Sequence, residues 1–413
     1  FDAGGNMLIA DSMNHRIRKV DADGTITTIA GMGEAGLSGD GGPATMARLN
    51  QPMGVAADAA GNVYIADLGN QRVRKVAPDG VITTVAGVAG SGQEPCWGDG
   101  CPALSAVIAP TDVAVDGTGG IWIACGGQVM RIDPHGRLWV VAGVGLYQTG
   151  FYGDGGPAKE ALLNGANAVL PDGKGGVYIT DWGNYRVRYV DPAGIINTVV
   201  GNGQKSFPNP GGPASEAWVD NLSGLAMGRD GSVYVGWGWS IWRLAKDGTF
   251  HPVAGDCCGG QSGFEGDGGP ASVARLNNGS GMAIDANGDL YVADGWDDRI
   301  RKISVRCMAA SVERLDLTAT AGGAAVSAPV TIRNTCLDYL DSTAAVSTDD
   351  GSSWLSLSSI SGRAPWAFEV VANATGLAHG TYTGSVTVTS LGAVGSPTVI
   401  PVTLVVTGEV PAV

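Results

Sequence analysis

The sequence predicts an all-β protein, a six-bladed β-propeller followed by an immunoglobulin-like β-sandwich. Three observations lead there: glycine supplies 67 of 413 residues, long helical periodicity is absent, and one strand-rich unit recurs six times. The recurring segments are Asn6 to Asp11 (NMLIAD), Asn62 to Asp67 (NVYIAD), Gly120 to Cys125 (GIWIAC), Gly176 to Asp181 (GVYITD), Ser232 to Trp237 (SVYVGW) and Asp289 to Asp294 (DLYVAD). Their starts lie 56, 58, 56, 56 and 57 residues apart. A second motif keeps the same phase: GDGGPA from Gly39, GDGCPA from Gly98, GDGGPA from Gly153, NPGGPA from Asn209 and GDGGPA from Gly266.

Within one period four short runs alternate with Gly and Asp-Gly turns, as in Gly54 to Ala57, Val63 to Ala66, Arg72 to Val76 and Val81 to Ala86. Four short antiparallel strands per repeat describe a propeller blade. The period exceeds the ~40–45 residues of a common blade, and the surplus carries the GDGGPA motif. The pattern G-N-V-Y-I-A-D-x-x-N-x-R-V-R-K-V-x-P-D-G-x-I-T-T-V-A-G resembles NHL repeats, in the variety with GDGGPA insertions found in bacterial secreted proteins and teneurin-type propellers, over residues 1 to about 304. The resemblance implies a propeller over 1–305 and leaves function open, since NHL propellers include binding scaffolds and enzymes.

Blade 1 lacks its innermost strand, because Phe1-Asp2 ends such a run, and blade 6 stops after Ile303 without an ITTVAG counterpart. Roughly 30–40 residues preceding Phe1 are expected to close the ring. The rival expectation is strand donation by a neighbouring chain, hence polymerisation.

From 306 to 413 the repeat gives way to Ser/Thr/Val alternation, with expected strands at 314–320, 325–335, 344–350, 354–360, 368–374, 380–390 and 398–406. The stretches Trp354 to Leu357, Gly376 to Gly384 and Val399 to Val405 resemble BACON-like domains of bacterial secreted proteins, which implies a glycan-binding module or a spacer.

The 39 acidic residues outweigh 25 basic ones, leaving a net charge of -14, a balance opposed to nucleic-acid binding. No uninterrupted apolar stretch of about 18 residues is present for a membrane span. Seven cysteines point to an oxidising compartment, extracellular or cell-surface. Cys96 and Cys101 flank Trp97 to Gly100 and are expected to pair; Cys307 and Cys336 bracket the entry to the second domain and form a candidate pair. Cys125, Cys257 and Cys258 leave one odd thiol.

The chain is read as a non-enzyme without cofactor or metal. Of four histidines, His379 belongs to the second domain, and His15, His135 and His251 fall on different turns and strands that cannot converge on one ion. The recurrent Asp-x-x-Asn-x-Arg sets (Asp11/Asn14/Arg16, Asp67/Asn70/Arg72, Asp181/Asn184/Arg186, and Asp294/Asp297/Arg299 with Asp for Asn) are read as structural, the Asp capping a turn and a charged partner joining blades. The insertion aspartates Asp40, Asp99, Asp154 and Asp267 are read as turn-stabilising, with Ca2+ the alternative.

The functional expectation rests on aromatics. Trp182, Trp237, Trp239 and Trp296 follow the second strands of blades 4 to 6, and Trp97, Tyr147, Phe151, Tyr152, Phe207 and Phe264 lie in insertions emerging on the same face. Such a face suits sugar stacking or a protein interface. The reading is a secreted or cell-surface binding or scaffold protein whose partner is an extracellular glycan, a protein or another copy of itself. The structural alternative is a subunit of an extracellular fibre.

Overall fold

β-Branched runs broken by Asp-Gly and Gly-Asn turns can fold back on themselves every few residues, and the backbone does so throughout. The computed structural model describes residues 1–88, 96, 98–205, 210–255, 262–269, 271–303, 308–334, 341–390 and 397–408. The chain divides into two compact units, Phe1–Ile303 and Ser304–Val413. All regular structure among the described residues is β-strand or short 3-10 turn.

The first unit holds six antiparallel meanders in chain order. The first has three strands, Met7–Asp11, Arg16–Val20 and Ile26–Ala30. The second has four, Pro52–Ala57, Val63–Asp67, Arg72–Val76 and Ile82–Ala86. The third comprises Asp112–Val115, Ile121–Cys125, Gln128–Ile132 and Arg137–Ala142, with Cys101–Pro102 added at its outer edge. The fourth runs Ala166–Pro171, Val177–Asp181, Arg186–Val190 and Ile196–Val200, and the fifth Leu222–Met227, Val233–Trp237, Ser240–Leu244 and Phe250–Gly255. The sixth has Gly279–Ile284, Leu290–Asp294 and Arg299–Ile303. The first sheet thus has no counterpart of Pro52–Ala57, and the sixth none of Ile82–Ala86. From the second sheet to the sixth, each leading strand packs on the next sheet's leading strand, and Met7–Asp11 packs on Pro52–Ala57.

Each of the first four insertions fastens one sheet's last strand to that of the next. Gly31 N donates to Ala44 O at 2.9 Å, while Gly41 N donates to Ile82 O and Ala44 N to Gly80 O, both at 2.8 Å. Gly143, Gly155 and Ala158 repeat the pattern with Ala158, Ile196 and Gly194. The junction demands glycine: Gly31 has φ +86°, and a Cβ there would fall on the His15 carbonyl oxygen.

The carboxylate ending the second repeated run is buried in the second, fourth and sixth sheets: Asp67, Asp181 and Asp294 are fully inaccessible. Their cationic partners lie two residues beyond the expected Arg72, Arg186 and Arg299. Arg74 reaches Asp67 at 3.5 Å, Arg188 reaches Asp181 at 3.3 Å and Arg301 reaches Asp294 at 3.3 Å. All three side chains share one face of the sheet, since Asp67 pairs directly with Arg72 and Arg74 follows two residues on, but the Arg72 guanidinium donates to the Gln71 carbonyl oxygen and leaves the carboxylate to Arg74. Each arginine also binds the insertion aspartate, Asp40 at 2.7 Å and Asp154 and Asp267 at 2.6 Å. Thr84 and Thr198 donate to the second oxygens of Asp40 and Asp154. The insertion aspartates therefore act as ion-pair partners more than as turn caps.

The two remaining four-strand repeats replace the pair together. At the Asp67 and Arg74 positions the third sheet has Cys125 and Met130, and the fifth has Trp237 and Trp242, all buried. Asp99, lacking its arginine, accepts from Val140 N and Lys159 Nζ instead, and the fifth repeat has Pro210 where the others have aspartate.

The second unit contains two sheets. One orders Met308–Ala310, Val326–Asn334, Trp366–Ala372 and Leu355–Leu357. The other orders Leu315–Thr320, Thr398–Thr407, Gly380–Ser390, Asp341–Thr348 and Ser361–Arg363, with Leu315–Thr320 parallel to Thr398–Thr407. Alternate residues such as Leu315, Leu317, Val402, Leu404, Phe368 and Val370 are buried. Met308–Ala310 and Ser361–Arg363 are strands that the hydropathy pattern did not mark.

Removing one buried charge while leaving its partner is costly, whereas removing both is not. Arg188→Met alone is expected to lower unfolding stability by about 3–5 kcal/mol. The double change Asp181→Cys with Arg188→Met, copying the third sheet, should recover most of that loss in urea denaturation.

Candidate functional site

The leading strands of the sheets enclose one cavity of about 710 Å³, lined by residues of all six: Leu8, Met53, Asp112, Ala168, Ser223 and Ser280 among them. The first sheet, without a leading strand, contributes Met7 to Ala10, and Phe1 packs edge-on against Tyr291 of the sixth at 5.1 Å. Side-chain hydroxyls and amides furnish the polar part of the wall, with Thr111, Asn167, Asn221 and Asn277. Some of these hydroxyls clasp neighbouring sheets: Thr111 Oγ1 donates to Ala166 O at 3.0 Å and Ser223 Oγ to Gly279 O at 2.5 Å.

Pairing with the second strand aligns the leading strands, placing Ala57, Val115, Pro171, Met227 and Ile284 at one level. Three residues earlier stand Gly54, Asp112, Ala168, Gly224 and Gly281. The spacing there is tight: a Cβ on Gly224 would strike the Ser280 carbonyl oxygen, and one on Gly54 would lie 2.6 Å from Asp112 Oδ1. Asp112 is the sole acidic or basic side chain among the described residues lining the cavity. Its Oδ1 accepts from Val113 N at 2.8 Å and its Oδ2 from Val169 N of the next sheet at 3.0 Å. Burial pushes its carboxyl up to about 7 despite these two bonds.

The aromatics expected on one face divide into groups. Trp182, Trp239 and Trp296, from the turns of the fourth, fifth and sixth sheets, line the cavity together with Met53. Trp296 is 76 % exposed and Trp182 44 %. Tyr147 and Tyr152 are exposed on the insertion between the third and fourth sheets but do not line the cavity.

Trp237 departs from the expected binding role. It ends a strand at the position other repeats give to the buried aspartate, is 6 % exposed, and meets Trp242 edge-on at 6.2 Å. An apolar partner at the arginine position draws it inward. Phe264 is committed to the scaffold in another way: the guanidinium of Arg299 stacks on its ring at 3.9 Å, with that of Arg301 at 4.9 Å. Phe151 holds the same place under Arg186 and Arg188.

Cys96 and Cys101 form a disulfide with a Cα separation of 6.1 Å. Cys125 is a buried free thiol raised to about 12 by desolvation. Trp97, Phe207, Cys257, Cys258, Cys307 and Cys336 lie outside the described residues. His15 takes a left-handed φ of 53° and accepts from Gln51 N through Nδ1 at 3.2 Å. Among the described residues no three His, Cys, Asp or Glu side chains come together in a set able to hold a metal.

Asp112 escaped the sequence reading because single-motif searching ignores residues that fail to repeat. Comparing the repeats column by column exposes it as the one acid in a run of glycine and alanine.

Residues 32–94 match the family described as the teneurin NHL domain. Mouse teneurin-4 is 26% identical over 323 residues, covering 72% of this chain and 10% of its own length. The Arabidopsis thaliana chloroplastic protein Suppressor of quenching 1 is 26% identical over 248 residues, covering 57% of this chain and 23% of its own. The chain thus spans about a tenth of the length of the teneurins it matches. A solved Bacteroides thetaiotaomicron structural genomics protein of unknown function matches with a TM-score of 0.51 at 18% identity, over 73% of this chain and 67% of that one. The first unit is therefore similar to NHL-type β-propellers in repeat and in fold.

A carboxyl raised by folding contributes stability below its unfolded pKa, near ~4, and loses it as pH climbs toward the folded value. The wild type should accordingly lose stability relative to Asp112→Asn as pH rises from about 4 to 7, with no further divergence above. Urea midpoints across that range measure it.

Proposed function

We propose that the chain is a six-bladed NHL-type propeller over 1–305 joined to an immunoglobulin-like sandwich over 306–413, acting outside the cell as a non-catalytic protein-binding module. The partner docks on the loop face around the mouth of the central cavity. The observation carrying this reading is that Trp182, Trp239, Trp296 and Met53 all line the same cavity. Trp and Met are enriched in interface cores, where a few large side chains supply most of the binding energy. The exposed Met13, at 79 %, adds to the apolar character of the same set of loops. The disulfide of Cys96 with Cys101 accords with an oxidising compartment.

Self-assembly into a fibre through exposed strand edges is the second reading. Particle size by electron microscopy separates the two, since filaments require the second.

Labelled protein applied to the surface of the producing cells tests the first. Combined Trp182→Ala and Trp296→Ala should weaken retention by about ten-fold or more, the loss of a hot-spot pair, with the urea midpoint unchanged. Trp237→Ala should instead lower stability by about 3–5 kcal/mol. Undiminished retention of the double variant would overturn the choice of face.

A further inference from the structure

We propose that the cavity receives a primary ammonium group, the end of a lysine side chain presented by the protein partner, and that Asp112 is the residue on which it seats. This deepens the binding reading above and rests on it.

Three observations meet at Asp112. The repeat places Gly54, Ala168, Gly224 and Gly281 at the same level of the neighbouring leading strands, so the scaffold itself asks for a small residue there. The neighbouring strands reach the same level without a carboxylate, so the one at Asp112 is a departure from the repeat. Next, among the described residues its oxygens accept only the amide hydrogens of Val113 and Val169. The buried carboxylates of this unit each face a cation, Asp67, Asp181 and Asp294 an arginine and Asp289 the lysine Lys302, whereas Asp112 lines an open cavity and makes no ion pair among the described residues. A half-buried carboxylate on a cavity wall without a cation is an unfavourable arrangement that an incoming cation relieves.

The surroundings suit an alkylammonium. Trp182, Trp239 and Trp296 present π-faces that attract cations, and Met53, Leu8 and Ala168 offer apolar surface for a methylene stem. The net charge of -14 draws cationic partners toward the molecule. A lysine side chain carries its ammonium on a four-carbon apolar stem, which matches this combination of carboxylate and apolar lining, and the tryptophans that line the same cavity are the kind of side chain that anchors a protein partner.

The test titrates n-butylammonium chloride, a mimic of the lysine side chain, against the full chain at constant ionic strength, following the indole N–H signals of Trp182, Trp239 and Trp296 by NMR. n-Butanol and sodium butyrate serve as the neutral and anionic controls. The expected result is a preference of about ten-fold for the ammonium over the alcohol, the worth of a charge-assisted hydrogen bond, with butyrate weaker still. Asp112→Asn should abolish the preference and leave alcohol binding in place. Asp112→Ala, a residue already present at this level as Ala168, supplies a second variant if the first folds poorly. Equal shifts with alcohol and ammonium, or a preference that survives both variants, overturn the ammonium assignment while leaving the cavity as a binding site. Indole signals unmoved by all three probes, with cell retention insensitive to the tryptophan substitutions, bring down the binding reading as well.

Discussion

A charge buried inside a β-sheet protein must be answered within a few ångströms, and that demand organises the repeated half of this chain. In the second, fourth and sixth sheets one arginine answers two carboxylates, an inaccessible one on its own sheet and a more exposed one on the insertion arriving from the sheet before. The guanidinium therefore joins a strand to an insertion, and the insertion joins two sheets through its main-chain bonds. Because a buried charge cannot stand alone, the members change together. The third and fifth repeats replace aspartate and arginine with Cys125 and Met130 or with Trp237 and Trp242, and the fifth also forgoes the insertion aspartate.

Most of the fold was legible because it is periodic. Two motifs in phase gave the number and order of sheets, and the Asp-Gly and Gly-Asn turns marked where strands reverse. Local turn chemistry explains why: Asp58 accepts the backbone and side-chain amides of Asn62 and the hydroxyl of Tyr64, interactions contained within seven consecutive residues. The partner of each buried aspartate was harder, since Arg72 and Arg74 lie two residues apart on one face of the same strand. What separates them is where each guanidinium turns, Arg72 to the Gln71 carbonyl oxygen and Arg74 to Asp40 and Asp67. In the second unit, Met308–Ala310 and Ser361–Arg363 are three residues each, too short for alternation to register as a pattern.

The site was legible in part. Trp182, Trp239 and Trp296 do share a cavity, because turns at the same place in successive repeats are brought together by the succession of sheets. Trp237 misled because its neighbours in the same column are aspartates, while its surroundings are decided by Trp242 five residues away. Phe151 and Phe264 read as free aromatics until the arginines two strands distant were seen to cover them. Asp112 is the reverse case, a residue inconspicuous in its own segment and distinctive only when superimposed on four others.

The insertion between the second and third sheets differs from the others in what holds it closed. Without an arginine to engage, Asp99 contacts a main-chain amide and Lys159, and the insertion carries a disulfide whose Cys101 sits where the other insertions have glycine. Arginine–aspartate pairs thus fasten three of the insertions, and a disulfide this one. Salt and acid act on the former, thiols and oxidants on the latter, so no single solvent change loosens every insertion at once. A chain that meets fluctuating surroundings retains part of its perimeter under each.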